Sequence, residues 1–444
     1  MTVSPATLTP FPADDPSQIF TPYGFERFPL DDHGYITEEW VATGEALGHH
    51  YRTVVCVRRP SDMSTWSGTV IAEPFHYSGI APVWMYSSGY VMRNHHVWVC
   101  IAAQKQSLEQ HHIGAKPDRY SSCRIEGESV DNFPVNPPFE KEESMRDFWG
   151  RLARINVACS TILAQVGAAL RTMPEVFGGR NLQHIVLTGH SQTGNVNTAY
   201  INTAHATERL ADGSSIYDGY FPSGYPLVPL PDIDRPTVQV LCEGDVPRPD
   251  LSIFPSADRR GWRREDGPLY RLYELAGVPH MTSRQFPYSD TSLWASQHSS
   301  DVPLDTVMSS MPHCEMFNAC LHRLVRWVVD GVVPPSAPRL EFDAHQFIAK
   351  DEFGNAIGGV RSPQLDVPAA THYANVPRAD GTPSVVGVGA DVAFSPERMR
   401  ELYGTADEFR RRFEARLDQL IAEGWFLPED DAEVRADATK PSFN

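Results

Sequence analysis

Signatures of metal and nucleotide binding are missing from this sequence. No H-E-x-x-H or zinc spacing occurs, and neither G-x-G-x-x-G nor G-x-x-x-x-G-K-[ST] follows a strand-like run, so no metal and no cofactor is expected. Cysteine is sparse and scattered: Cys56, Cys100, Cys123, Cys159, Cys242, Cys314 and Cys320 are seven in all, without a C-x-x-C pair. An odd, dispersed set excludes a disulfide scaffold and a zinc module, and Cys100, Cys159 and Cys242, inside apolar runs, read as core thiols. No apolar stretch approaches the roughly 18 residues of a membrane span. Met1 to Phe20 lacks a basic segment followed by an apolar one, so a cytoplasmic protein is the expectation. Basic residues are outnumbered, 38 against 56 acidic, for a formal net charge of -18. That balance argues against unspecific binding to nucleic acid or to an anionic membrane. Fixed-period repeats and low-complexity tracts are absent as well.

What is present is a folded chain of 444 residues, 41% hydrophobic, organised around Ile185-Val186-Leu187-Thr188-Gly189-His190-Ser191-Gln192-Thr193-Gly194. An apolar run that stops at Gly-His-Ser reads as a buried strand feeding a sharp turn, and Asn195 to Tyr200 can open a helix. Strand, serine, helix is a nucleophile elbow: it lifts the hydroxyl out of the sheet and aims the backbone N–H of Gln192 at developing negative charge. The match to G-x-S-x-G is imperfect, because position +2 is Thr193 and the second glycine arrives one residue late, at Gly194.

Around the elbow the chain alternates strand and helix patterns. Residues 1–50 read as an N-terminal extension, the first thirty of them proline-rich and draped over the fold. Tyr51 to Val57 and Gly68 to Phe75 read as strands, Trp84 to Met92 as a helix, and Val97 to Ala103 as another strand. Strands without polar alternation point to a parallel sheet buried on both faces. From about 104 to 143 the pattern dissolves, which reads as a long insertion, either a lid or irregular packing. A helix follows over Met145 to Leu170. Beyond the elbow come strands at Tyr217 to Pro222, Pro236 to Cys242 and Tyr270 to Gly277, then a helix from Met316 to Asp330. In the tail, Thr405-Ala406-Asp407-Glu408 forms a capping box ahead of an apolar face of Phe409, Phe413, Leu417, Leu420 and Ile421. The core is placed at 51–339, with 340–444 as a C-terminal extension.

Acyl transfer by serine needs a base for the hydroxyl proton and an acid that holds the base in one tautomer. Ser191, then Glu243 or Asp245, then His280 follow in the chain order of this sheet type, each just past a strand. Spacing beyond the strand favours Asp245, and the other carboxylate reads as an organiser of its loop. Among 17 histidines, His190 reads as packed beneath the serine, while His205, His313, His95-His96 and His111-His112 fit the topology less well than His280. A second oxyanion donor is expected in the loop after Val70 to Glu73, from a backbone N–H of Phe75 or His76. Tyr77, Trp84, Tyr86, Phe286 and Tyr288 are candidates for an apolar pocket or for ordinary packing.

These residues carry a resemblance. Gly189 to Gly194, Glu243-Gly244-Asp245, Tyr273 to His280, Trp327 to Gly331 and Asp351 to Arg361 resemble the bacterial and fungal proteins known as "alpha/beta hydrolase domain-containing", from about residue 65 to the C-terminal helix. The resemblance implies an α/β-hydrolase fold, a mostly parallel sheet flanked by helices, with the C-terminal extension packed on the same unit. It implies a serine carboxylic-ester hydrolase in which Ser191 and His280 match the motif, and it leaves Glu243 and Asp245 both open. The expected partner is a small-molecule ester or lactone, with acyl transfer or non-catalytic binding as alternatives. Self-association into a homo-oligomer is compatible with the sequence.

Overall fold

The computed structural model describes residues 2–13, 15–22, 28–127, 142–224, 229–246, 263–285, 307–376 and 389–443, with the backbone alone at 16 and 142–156. Its centre is a sheet of strands β1 (Thr7–Pro10), β2 (Tyr35–Ala46), β3 (His49–Pro60), β4 (Thr69–Pro74), β5 (Val97–Ile101), β6 (Arg124–Ile125), β7 (His184–His190), β8 (Gly219–Ser223), β9 (Thr237–Cys242) and β10 (Tyr270–Leu275). Their spatial order is β1-β2-β3-β5-β4-β7-β8-β9-β10, with β6 paired to β3. From β5 to β10 every neighbouring pair is parallel, as in the register Val70↔Ile185, while β1, β2 and β3 join antiparallel.

The parallel strands are short, with apolar runs in β4, β5, β7 and β9, and all of β4, β5, β8 and β9 is buried. Such strands need cover on both faces. Helices α1 (Pro82–Arg93), α2 (Glu142–Thr172), α3 (Gln192–Asn202) and α4 (His313–Asp330) supply it, α1 packing on α4 and α2 on α3. The mostly parallel, helix-flanked sheet expected from the sequence is what forms.

Two regions depart from expectation. Tyr35–Ala46, inside the stretch read as an N-terminal extension, is a full strand pairing with β3 from Tyr35↔Pro60 to Ala46↔His49. Its polar centre and Gly44 hide the pattern, and tertiary pairing overrides the weak local preference. The start of the insertion at 104–143 is also more regular than its composition suggests. A short helix, a π-helical turn at Leu108–Ile113, a helix at Pro117–Tyr120 and strand β6 bury Leu108, His112 and Tyr120. The remainder, to 141, lies outside the described residues.

The tail packs on the same unit. Val360 bridges Leu275 in parallel, and Leu340 N–H donates to the buried carboxylate of Glu274 at 2.7 Å. Strands β11 (Ala370–Tyr373) and β12 (Ala390–Ala393) pair antiparallel, and α5 (Ala406–Ala422) buries Phe409, Phe413, Leu417 and Leu420 after Thr405 accepts the Glu408 N–H. All seven cysteines are buried. Among the described residues no helix is long and apolar enough to cross a membrane.

Candidate active site

Strand β7 delivers its buried aliphatic run to Ser191, which turns into α3 at φ 63°, ψ −129°. A non-glycine residue takes this backbone conformation only where its surroundings enforce it. Four hydrogen bonds do so. Ser191 N–H donates to Ser223 O at 3.0 Å. Thr193 Oγ1 accepts the His190 N–H at 3.0 Å and donates to His190 O at 2.8 Å. Asn197 Nδ2 donates to Leu187 O at 2.8 Å.

The late glycine now has a physical account. A Cβ on Gly194 would sit 1.9 Å from Ser223 O, and one on Gly189 would sit 2.2 Å from Thr193 O. The helix therefore needs its bare position at 194, where it crosses the end of β8, while Thr193 uses its hydroxyl to lock the turn. Gly224, at φ +93°, makes a further close approach: its Cβ would lie 2.6 Å from Ser191 N and 3.5 Å from His280 Cε1. One glycine thus borders both Ser191 and His280.

Past β9, the turn Glu243–Asp245 sends its two carboxylates in different directions. Asp245 is fully buried and its Oδ1 meets His280 Nδ1 at 2.7 Å. Glu243 accepts the Gly277 N–H at 2.7 Å and the Lys350 ammonium at 2.5 Å. It fastens the start of the His280 loop and a segment of the tail. A carboxylate at Nδ1 puts the imidazole proton there and leaves Nε2 as the basic nitrogen.

Beneath His280 lies a buried aromatic layer. The His190 ring stacks on His280 at 4.5 Å and 22°, and Tyr86 and Phe317 meet His190 edge-on. His190 Nδ1 pairs with Ser223 Oγ at 3.0 Å, and burial drives its pKa well below the ordinary histidine value. His313 accepts from Gln285 at Nδ1 and contacts Cys242 Sγ through Nε2 at 3.2 Å, and burial pushes its pKa down to about 3. Neutral imidazoles here spare His280 an adjacent fixed positive charge.

The alpha/beta hydrolase domain family matches residues 7–436. This chain belongs to that family. Among solved structures, it is similar to a Klebsiella pneumoniae protein described as a dienelactone hydrolase, at 9% identity and a TM-score of 0.32 over 54% of this chain and 85% of that one. It is similar to a cold-adapted esterase from an Arctic intertidal metagenomic library at 9% identity and a TM-score of 0.30, over 54% of this chain and 84% of that one. The LpqC poly(3-hydroxybutyrate) depolymerase of Bordetella parapertussis is similar at 13% identity and a TM-score of 0.28, over 68% and 91%. No curated protein matches.

In this family member the chain brings Ser191, Gln192, Asp245 and His280 to the carboxyl ends of β7, β9 and β10, and keeps Glu243 off the histidine. The two main-chain donors expected after β4 are already engaged: Phe75 N–H donates to Ile101 O at 2.8 Å and His76 N–H to Ile80 O at 3.2 Å. The strand's last hydrogen bond and a turn consume them. Gln104 was not foreseen. Its amide pairs reciprocally with that of Gln192 at 2.6 and 3.0 Å and donates to Phe75 O at 2.8 Å, tying the β4 loop to the elbow. Its place directly after the β5 run was the only signal for it.

Of the other candidate histidines, His205 meets Tyr220 and Asp234, His96 meets Ser67, His111 meets Tyr77 O, His112 packs against Phe20 and Phe75, and His95 is exposed. Of the aromatic candidates, Trp84 packs against Trp98 beneath the Arg58 guanidinium, and Tyr77 leans on His76. Phe286 and Tyr288 lie outside the described residues. Among the described residues no group of three or more His, Cys, Asp or Glu side chains is arranged to hold a metal ion.

Proposed function

We propose that this protein is a serine hydrolase that cleaves a carboxylic ester or lactone through an acyl-enzyme. The observation that carries the reading is the buried Asp245–His280 pair at 2.7 Å, bordering through Gly224 a serine held in the strained elbow conformation. Ser191 Oγ attacks the carbonyl carbon as His280 Nε2 takes its proton, and the same nitrogen returns that proton to the leaving alcohol. Asp245 holds the imidazole by Nδ1 and stabilises the imidazolium formed at each step. The Gln192 N–H, in the first turn of α3 where backbone donors lack helical partners, faces the developing oxyanion. Gln104 fixes Gln192 against the loop after β4. A water then repeats the sequence on the acyl-enzyme, with His280 as general base.

The test is intact-mass analysis after a fluorophosphonate, together with hydrolysis of short p-nitrophenyl esters, in wild type, Ser191→Ala and His280→Ala. A single adduct on Ser191, with turnover lost in both variants, is the expected result. The double variant should lose little more than either single one, because the groups act as a unit. An unlabelled, inert wild type would refute the reading.

A further inference from the structure

The loop after β4 has its main-chain donors spent, yet it stands beside the elbow. Strands β4 and β7 are parallel neighbours, and Gln104 bonds both Phe75 O and the Gln192 amide. An oxyanion held by Gln192 alone would lack the second donor that such sites use. The His76 side chain belongs to this loop.

His76 is only 5% exposed. Its Nδ1 accepts the Ser78 N–H at 3.1 Å and lies 2.7 Å from Ser78 Oγ. A backbone N–H can only donate, so Nδ1 carries a lone pair and the ring proton sits on Nε2. No described residue takes that Nε2–H. Burial pushes the His76 pKa down to about 3, and the charges of His280 and His111 act in the same direction. The ring is therefore neutral at ordinary pH and near enough to His280 for the two charges to oppose each other.

We propose that the Nε2–H of His76 donates a hydrogen bond to the carbonyl oxygen of the ester as it becomes an oxyanion, paired with the Gln192 N–H. This rests on Ser191 as nucleophile. No bond to His76 forms or breaks, and its proton stays on Nε2 throughout. A neutral imidazole is well suited to this role, because it polarises the carbonyl without adding a fixed positive charge beside His280, which must itself become cationic. Ser78 is a positioning residue, because its N–H and hydroxyl select the tautomer.

The experiment compares wild type, His76→Phe, His76→Gln and Ser191→Ala on short p-nitrophenyl esters. Rates are normalised to active sites titrated with the fluorophosphonate, so a misfolded fraction does not count. In parallel, the inhibition constant of an aryl trifluoromethyl ketone is measured, since it adds to the serine as an anionic hemiketal. His76→Phe should lower kcat by about 10²–10³-fold with KM changed by less than about threefold, and should weaken the ketone by a similar factor. His76→Gln, whose amide nitrogen reaches the same place, should recover part of both losses. A structural role would instead raise KM along with the loss in kcat and leave glutamine no better than phenylalanine. Unchanged kcat and ketone affinity in His76→Phe, with Ser191→Ala inactive, would overturn this inference and leave the hydrolase reading standing. An inert, unlabelled wild type would overturn both.

Discussion

Replacing Ser191 by glycine should abolish turnover and at the same time make the protein more stable. The serine sits at φ 63°, ψ −129°, between the end of β7 and α3. A side chain held in so sparsely populated a region costs about 1–3 kcal/mol, which the surrounding fold offsets. Glycine removes that strain but brings an entropic cost of about 0.5–1 kcal/mol, from its greater freedom in the unfolded chain. The net expectation is a gain of roughly 0.5–2 kcal/mol. Ser191→Ala is the control, because it also lacks the hydroxyl but keeps the Cβ that creates the strain. At an ordinary position glycine is the less stable of the two, so the order should invert here. Urea midpoints are the suitable assay, since in a chain of 444 residues each kcal/mol moves the melting temperature by only a few degrees. A midpoint for Ser191→Gly at or below that of Ser191→Ala would show that the fold imposes no strain at Ser191.

Asp245→Asn should keep the geometry but present the wrong hydrogen-bonding partner to His280 Nδ1, lowering kcat by about 10³–10⁴-fold. Glu243→Gln, away from His280, should leave kcat within about threefold and lower the urea midpoint, its loss reflecting a buried contact to Gly277 and Lys350. Equal kinetic losses in the two variants would contradict their different surroundings. Gly194→Ala, with its Cβ 1.9 Å from a backbone oxygen, should destabilise by about 3 kcal/mol or more, whereas Gly213→Ala, with nothing within 4 Å at φ +83°, should lose only about 1–2 kcal/mol. Comparable midpoints would show that the end of β8 can move. His96, His112 and His313 are held at about 3 by burial. Their folded pKa lies below the unfolded value of about 6.5, so their neutral forms stabilise the fold above it and that contribution is lost as pH falls from about 6.5 toward 3. At pH 5 each should oppose folding by on the order of 2 kcal/mol, and unfolding should take up about three protons from this group. A stability–pH slope corresponding to less than one proton would refute their burial as neutral bases.

The elbow was legible because its signals are local. An aliphatic strand, a glycine that must precede the turn, and a helix opening on Gln192 are properties of ten consecutive residues, and the order serine, acid, histidine follows from strands that also announce themselves. The parallel core was readable for the same reason: β4, β5 and β7, covered on both faces, carry uninterrupted apolar runs. Strand β2 was not, since its polar centre gains its place by pairing with β3 along its whole length and with β1 on its other edge.

Tertiary structure decided what local chemistry leaves degenerate. Glu243 and Asp245 share one turn and one charge. What separates them is that Lys350, from the tail, and Gly277 meet the first, while His280 meets the second. Phe75 and His76 offered main-chain donors on paper, but Ile101 and Ile80 occupy them, and only the position of Ser78 fixes which nitrogen of His76 holds a proton. Gln104 joins the loop and the elbow from a third strand. The sequence determined which groups reach the edge of the sheet. Which of them meet depends on partners brought together by packing, and pattern along the chain carries no record of those distances.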